Sequence, residues 1–145
     1  MYRNILVPLD GSPLAEQALR QLEHLVAPEA LVTLIQIVRL PMPVVAPEMS
    51  VPISTGNLED VAREAALYLQ GKATGLKSLN VSVKTEVIEG DDIALTIASY
   101  ATKHNCDLIA MSTHGRGGVS RVVFGSVAED VVRHVPCPVL VIRPT

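Results

Sequence analysis

Aromatic residues are scarce in this chain of 145 residues. Phe, Trp and Tyr together make up 3% of it, with no Trp and a single Phe, although 48% of the residues are hydrophobic. A core must therefore be built from Val, Leu, Ile and Ala. Proteins that bind single-stranded nucleic acid commonly stack the bases on aromatic side chains, so this class is disfavoured. The hydrophobic content also excludes a disordered chain, which needs low hydrophobicity and high net charge.

Charged blocks and long apolar runs are missing as well. The 12 basic and 15 acidic residues give a net charge of −3 and neither sign clusters, so no nucleic-acid partner is expected. No apolar run approaches the ~18 residues that span a membrane, so we expect no membrane partner. The run Ile5–Leu9 is too short for a secretory signal, and the two cysteines lack CxxC spacing. We therefore expect a cytoplasmic protein with free thiols.

Apolar runs alternate with amphipathic stripes along the chain. Strands buried on both faces are predicted at Asn4–Leu9 and Leu31–Val38. Short apolar runs predict further strands at Leu108–Met111 and Val139–Ile142, the last of them at a sheet edge. Val81–Ile88 alternates apolar and polar residues, which is typical of an edge strand.

Capping residues indicate where the helices begin. Ser12 followed by Pro13 starts the first helix, whose apolar stripe is predicted to run on through Leu25 and Val26. The other helices are predicted to begin at Asn57, after Asp92 and near Gly125. Four prolines predict a surface loop at residues 39–56.

The order of these elements predicts the fold class. Strands alternating with helices, βαβαβαβαβ, imply right-handed parallel crossovers. We expect one domain over residues 1–145, an α/β three-layer sandwich. Its five-stranded parallel sheet would be doubly wound, or Rossmann-like, with four helices.

Ligands bind such sheets at the carboxyl ends of the strands, near the point where the strand order reverses. The segments after the first and fourth strands are therefore the candidates. The first reads Pro8-Leu9-Asp10-Gly11-Ser12 and lacks the GxGxxG of dinucleotide-binding turns. A P-loop is excluded too, because Gly71-Lys72 would need a glycine where Ala66 stands.

The second candidate segment is rich in glycine. Ser112–Gly118 holds three glycines and Arg116, and Gly125-Ser126 follows just before a predicted helix. Backbone N–H groups at a helix start and a nearby guanidinium suit a phosphate. The alternative is a turn followed by a capping box formed by Ser126 and Glu129. His114 has no nucleophile or carboxylate at a partner spacing, so no catalytic residue is predicted.

Three segments resemble the universal stress protein family, over essentially the whole chain. They are NILVPLDGSPLAEQAL, DLIAMSTHGRGGVSRVVFGSVAEDVV and PCPVLVIRP. The ATP-binding, UspA-like members carry a pattern G-x2-G-x9-G-S/T, which this chain meets at Ser112, Gly115, Gly125 and Ser126. The first position departs from the pattern, since Ser112 adds a hydroxyl where backbone would meet phosphate or ribose.

The resemblance implies an ATP site and a role for each matching residue. Pro8, Leu9 and Asp10 would line the adenosine, Ile37 would meet the adenine, and Met111 and Ser112 would face the ribose. Gly115, Gly125, Ser126 and Val127 would surround the phosphates, to which the guanidinium of Arg116 would add a charge-assisted contact on the chemistry of the loop alone. Mg²⁺ would be held mainly by the phosphates, with Asp10 as a further ligand, because it accepts few protein ligands.

The resemblance also implies a homodimer through the last strand, with Val139 and Val141 at the interface. Pairing that apolar edge with a second copy would satisfy its backbone. The leading hypothesis is a stress-response regulatory module, in which bound ATP biases the loop 113–124 toward or away from an unidentified protein partner. Its rivals are a slow ATP hydrolase or phosphotransferase, and a nucleotide-free dimeric interaction protein.

A metal site is the one hypothesis independent of the family. His104 and Cys106 precede the fourth strand, and His134 and Cys137 precede the fifth, so all four could gather as zinc ligands at the amino ends of neighbouring strands. The favoured alternative is two buried thiols and two surface histidines at helix ends.

Overall fold

A five-stranded parallel sheet forms the centre of the protein. The computed structural model describes residues 1–39, 57–113 and 125–143. Its strands are β1 Tyr2–Leu9, β2 Val26–Val38, β3 Ser82–Glu89, β4 Leu108–Ser112 and β5 Val139–Ile142. Its α-helices are α1 Pro13–Gln21, α2 Leu58–Gly75, α3 Ile93–Lys103 and α4 Ser126–His134. The strand order is β3-β2-β1-β4-β5 and every pair is parallel, which confirms the predicted fold class.

The sheet is buried on both faces by small aliphatic side chains. Along β1, Ile5 and Val7 pack with α1 and α2 on one face, whereas Leu6 packs with α3 and α4 on the other, and all three are 0% exposed. Alternation of side chains along a strand requires this arrangement. Within the described ranges, no helix is both long and apolar enough to cross a membrane.

The predicted edges of the sheet are confirmed by the strand order. β3, the alternating segment, lies at one edge and β5 lies at the other. None of the four residues of β5 is fully buried, in contrast to β4, in which all five are.

The junction between α1 and β2 differs from the prediction. Leu25 and Val26 do not continue the first helix, because α1 ends at Gln21, a 3₁₀ turn follows at Leu22–His24, and β2 begins at Val26 rather than Leu31. The register between β1 and β2 shifts within this stretch, where Glu29 has a φ of 62°. Pro28 and the exposed Glu29 interrupt the apolar pattern, so the early start of the strand was not visible in the sequence.

Polar side chains clasp β1 to the residues before β4 at the amino end of the sheet. The Asn4 amide donates to the carbonyls of His104 and Asn105, at 2.8 and 3.0 Å. The Asp107 carboxylate accepts from the backbone N–H groups of Arg3 and Asn4, at 2.9 and 3.0 Å. A main-chain bond from Asp107 N to the carbonyl of Asn4, at 2.8 Å, closes the clasp.

Removing the Asn4 side chain is expected to destabilise the fold. In Asn4→Ala, the part-buried carbonyl of His104 and the exposed carbonyl of Asn105 lose their donor, which costs about 1 to 3 kcal/mol. The free energy of unfolding from urea titration measures this loss. Glu129→Gln serves as the control, because it weakens only an exposed pair with Arg133 and should change stability by less than about 0.5 kcal/mol. Equal losses in both variants would show that the clasp is not a stabilising feature.

Candidate functional site

A cavity opens at the carboxyl end of the sheet, where the strand order reverses between β1 and β4. The backbone carbonyl of Asn4 points toward β4. Because backbone groups alternate in direction along a strand, those of Leu6 and Pro8 also point toward β4. Pro8 has no N–H to donate, and the pairing of the two strands covers only Ile5 with Leu108 and Leu6 with Ile109. The strands therefore part beyond this point.

The cavity has a volume of about 120 Å³ and is lined mostly by aliphatic side chains. The lining residues are Pro8, Leu9, Asp10, Ala15, Ile37, Ile93, Ile97, Met111, Ser112, Thr113, Val127 and Ala128. Asp10, Ser112 and Thr113 supply its polar side chains. A largely apolar cavity with a few polar groups is the usual form of a small-molecule site.

The turn between β1 and α1 fixes the position of Asp10. Its Oδ1 accepts hydrogen bonds from the backbone N–H and the hydroxyl of Ser12, at 2.9 and 2.5 Å. The Ser12 hydroxyl in turn accepts from Ala15 N at 3.2 Å and caps α1, as predicted. Gly11 between them has a φ of 84°, a conformation that glycine adopts without steric cost.

The segment from β4 to α4 forms the facing wall. Ser112 and Thr113 are both buried, and the carbonyl of Thr113 accepts a hydrogen bond from Gly125 N at 3.0 Å. This bond brings the start of α4 to the end of β4. The N-terminus of α4 therefore lies at the same end of the sheet as Asp10.

The capping-box alternative at the start of α4 is wrong. Gly125 occupies the N-cap position without a side-chain hydrogen bond, and Ser126 is the first residue of the helix instead of its cap. A hydroxyl one position inside the helix does not serve as the N-cap acceptor. No side chain therefore caps the first turn of α4 from the N-cap position.

Most of the predicted site residues meet at this cavity. Seven of them line it, namely Pro8, Leu9, Asp10, Ile37, Met111, Ser112 and Val127. Gly125 and Ser126 directly precede Val127. Gly115 and Arg116 lie outside the described residues, as do His114 and most of the predicted loops at 39–56 and 113–124. The individual contacts with a ligand stay predictions.

Five lining residues were missed by sequence reasoning: Ala15, Ile93, Ile97, Thr113 and Ala128. Ile93 and Ile97 belong to the apolar stripe of α3, which looks like any core-facing helix. Their position beside the cavity depends on how α3 crosses the sheet, which the sequence pattern does not specify.

The four candidate zinc ligands do not assemble. In the described residues, no three His, Cys, Asp or Glu side chains come close enough to hold a metal ion. The His104 ring stacks on Tyr100 with 4.0 Å between centroids, and His134 Nδ1 lies 2.6 Å from the Asp130 carbonyl.

Both cysteines are free, as predicted. Burial raises the pKa of Cys106 to about 11, with smaller effects from Cys137 and Asp107, and burial also raises the pKa of Cys137. The Cys106 thiol is therefore protonated at neutral pH, and Cys137 is half-buried rather than buried.

Comparison with known proteins identifies the family. The model of the universal stress protein family matches residues 1–143. A universal stress protein of Methanocaldococcus jannaschii is 32% identical over 145 residues, covering 99% of this chain and 83% of that protein. The chain therefore belongs to the universal stress protein family.

Solved structures with adenine nucleotides share the fold. The universal stress protein from Archaeoglobus fulgidus in complex with dAMP is 21% identical, with a TM-score of 0.62 and 97% of each chain covered. A universal stress protein family member from Arabidopsis thaliana with AMP bound is 16% identical, with a TM-score of 0.64. That alignment covers 99% of this chain and 92% of the other.

The turn at Gly11 gives a test of backbone strain at the site. Gly11→Ala should destabilise the protein by about 1 to 2 kcal/mol, because a Cβ is strained at this left-handed φ. Gly71→Ala is the matched control: in α2 an added Cβ meets nothing within 4 Å, so stability should rise by about 0.5 to 1 kcal/mol. Thermal and urea unfolding of both variants measure the difference, and the same sign in both would contradict the assigned conformation of Gly11.

Proposed function

We propose that this protein is a cytoplasmic stress-response regulatory module that binds ATP, with Mg²⁺, in the cavity between β1 and β4. The observation that carries the proposal is the convergence of seven predicted nucleotide-contacting residues on one cavity at the reversal of strand order. Ligands of open parallel sheets bind at this point. Family members that share the fold have been solved with AMP and dAMP, which supports an adenine nucleotide as the ligand class.

The cavity suits a base held by aliphatic contacts. Ile37 from β2 and Ile93 and Ile97 from α3 line it, and no aromatic side chain is among the described lining residues. A flat apolar base would gain dispersion contacts and bury apolar surface there without aromatic stacking.

The start of α4 suits the phosphates. The first backbone N–H groups of a helix have no partner within it, and they carry the positive end of its dipole. At α4, the N-cap residue Gly125 supplies no side-chain acceptor for them, and its lack of a Cβ lets a ligand approach closely. The sequence pattern adds Gly115 and Arg116 to this phosphate-binding role.

Asp10 suits a cation that accompanies the phosphates. Its carboxylate lines the cavity and is oriented by two hydrogen bonds from Ser12. One carboxylate agrees with the preference of Mg²⁺ for phosphate oxygens and water over an all-protein cage. Asp10 would thus help to hold a metal that the nucleotide brings with it.

A charge placed against the base should block binding. Ile37→Glu puts a carboxylate on the half-buried wall of the cavity, where it would lose hydration and repel phosphates, so we expect an affinity at least about tenfold lower. Leu67→Glu is the control, because Leu67 is 63% exposed on α2 and does not line the cavity, and its affinity should match that of wild type. Isothermal titration with ATP, ADP and AMP, each with Mg²⁺, gives the affinities.

The same titration discriminates between the competing functions. No heat with any of the three nucleotides would favour the nucleotide-free interaction protein. Binding with steady phosphate release that Ile37→Glu abolishes would favour a hydrolase. Binding without turnover, accompanied by recruitment of a protein from a cell extract only in the nucleotide-bound state, is the outcome expected of the regulatory module.

We further propose that β5 pairs with β5 of a second copy to form a homodimer. Thr113 N donates to the carbonyl of Ile142, and Ile109 N donates to that of Pro138, so these carbonyls face β4. Alternation therefore turns the backbone groups of Val139 and Val141 away from β4, toward the outer edge of the sheet. The half-buried side chains of β5 would lose more water contact in such a pair.

This proposal predicts that Val141→Pro yields a monomer. The substitution removes an N–H that faces outward, so it should break pairing between copies without breaking the hydrogen bonds between β4 and β5. Multi-angle light scattering gives the oligomeric state, and circular dichroism verifies that the fold is kept. A folded dimer of the variant would place the interface elsewhere.

A further inference from the structure

Three side chains join α1 to α2 behind the turn that holds Asp10. Tyr68 and Lys72 lie one turn apart on α2, and together they hold both oxygens of the Glu16 carboxylate on α1. The Tyr68 hydroxyl donates to Oε1 at 2.9 Å, and Lys72 Nζ lies 2.8 Å from Oε2. The ammonium also lies 5.6 Å from the centre of the Tyr68 ring, within range of a cation–π interaction.

This cluster is less exposed than the other ion pairs among the described residues. The side chains of Lys72 and Glu16 are 34% and 27% exposed, against 69% and 63% for the surface pair of Arg63 and Asp60. Reduced exposure strengthens hydrogen bonds and raises the cost of losing a partner. The cluster therefore restrains α1 relative to α2.

The Tyr68 hydroxyl is connected to the turn through Glu16. Glu16 N donates to the carbonyl of Ser12 at 3.3 Å, and the backbone N–H and hydroxyl of Ser12 hold the Asp10 carboxylate at 2.9 and 2.5 Å. Burial, followed by Glu16 and then Asp10, raises the pKa of Tyr68, while the backbone of Gly11 acts in the opposite direction.

We infer that Tyr68 is a positioning residue of the nucleotide site, which holds the turn at Gly11 so that Asp10 faces the cavity. The inference rests on the proposed function, and it extends the site to a helix that does not line the cavity. Tyr68 touches no ligand in this scheme. It acts through Glu16 on the first turn of α1, and so on Ser12, which holds Asp10.

The protein contains a matched control for the hydrogen bond. The Tyr100 hydroxyl donates to the Glu86 carboxylate at 2.6 Å, between α3 and β3, and neither residue lines the cavity. Tyr68→Phe and Tyr100→Phe thus remove the same type of bond from the two sides of the sheet. A general loss of stability would lower the nucleotide affinity of both variants, whereas loss of positioning would lower the affinity of Tyr68→Phe alone.

The test combines nucleotide titration with amide NMR. Tyr68→Phe should bind ATP with Mg²⁺ about threefold to tenfold more weakly, the effect of one hydrogen bond, and Tyr100→Phe should bind as wild type does. In ¹⁵N–¹H spectra without nucleotide, the amides of Gly11 and Ser12 should shift in Tyr68→Phe alone. Glu16→Ala should reproduce the loss of affinity, and Glu16→Gln, which keeps an oxygen acceptor for the phenol, should restore most of it.

The outcomes separate this inference from the proposed function. If wild type binds no adenine nucleotide, the proposed function fails. In that case the NMR spectra still test the positioning role, because unshifted Gly11 and Ser12 amides in Tyr68→Phe would overturn it. If wild type binds and Tyr68→Phe binds equally well, only the positioning role is wrong. Equal weakening in Tyr68→Phe and Tyr100→Phe would likewise overturn it.

Discussion

The pairing of β1 with β4 is the contact on which the rest of the structure depends. It joins the two halves of the doubly wound sheet, and it is short, because it covers two residue pairs at the middle of β1. The polar clasp of Asn4 and Asp107 secures it where the strands meet. Toward the other end, Pro8 cannot donate to the ladder, so the strands separate. One interaction thus holds the sheet together and leaves the cavity open at its carboxyl edge.

The two walls of that cavity are built on different principles. On the side of β1, the carboxylate of Asp10 is held by Ser12, whose hydroxyl also caps α1, and the helix is tied to α2 through Glu16. On the side of β4, the helix that faces the cavity begins without a side-chain cap. Helix N-termini normally gain about 1 kcal/mol from such a cap. The N-cap residue of α4 does not contribute this stabilisation, and α4 is the helix whose start the sequence pattern assigns to phosphate.

The sequence predicted the layers well, because they depend on periodicity. Small aliphatic runs fit strands whose two faces are both covered, and the alternating pattern of β3 fits an edge. Prediction from the sequence failed where the same residue types fit two different local structures. Val26 fits a helical stripe and a strand equally, and only its pairing with Tyr2 decides between them. Ser126 and Glu129 have capping-box spacing, yet the helix starts one residue earlier than that motif requires. Ile93 and Ile97 look like core residues, and only the crossing of α3 brings them to the cavity.

The scarcity of aromatic residues determines how this cavity could hold a base. A base between aliphatic side chains is held by shape and dispersion alone, without the directional stacking that aromatic rings offer. In the proposed site, discrimination between ligands would then come from the polar groups at the rim, where Asp10 and the start of α4 would face different parts of an anion and its cation. Those groups are useful only if their spacing is fixed. An aliphatic cavity therefore requires a rigid polar turn beside it, which the hydrogen bonds around Asp10, Ser12 and Glu16 supply.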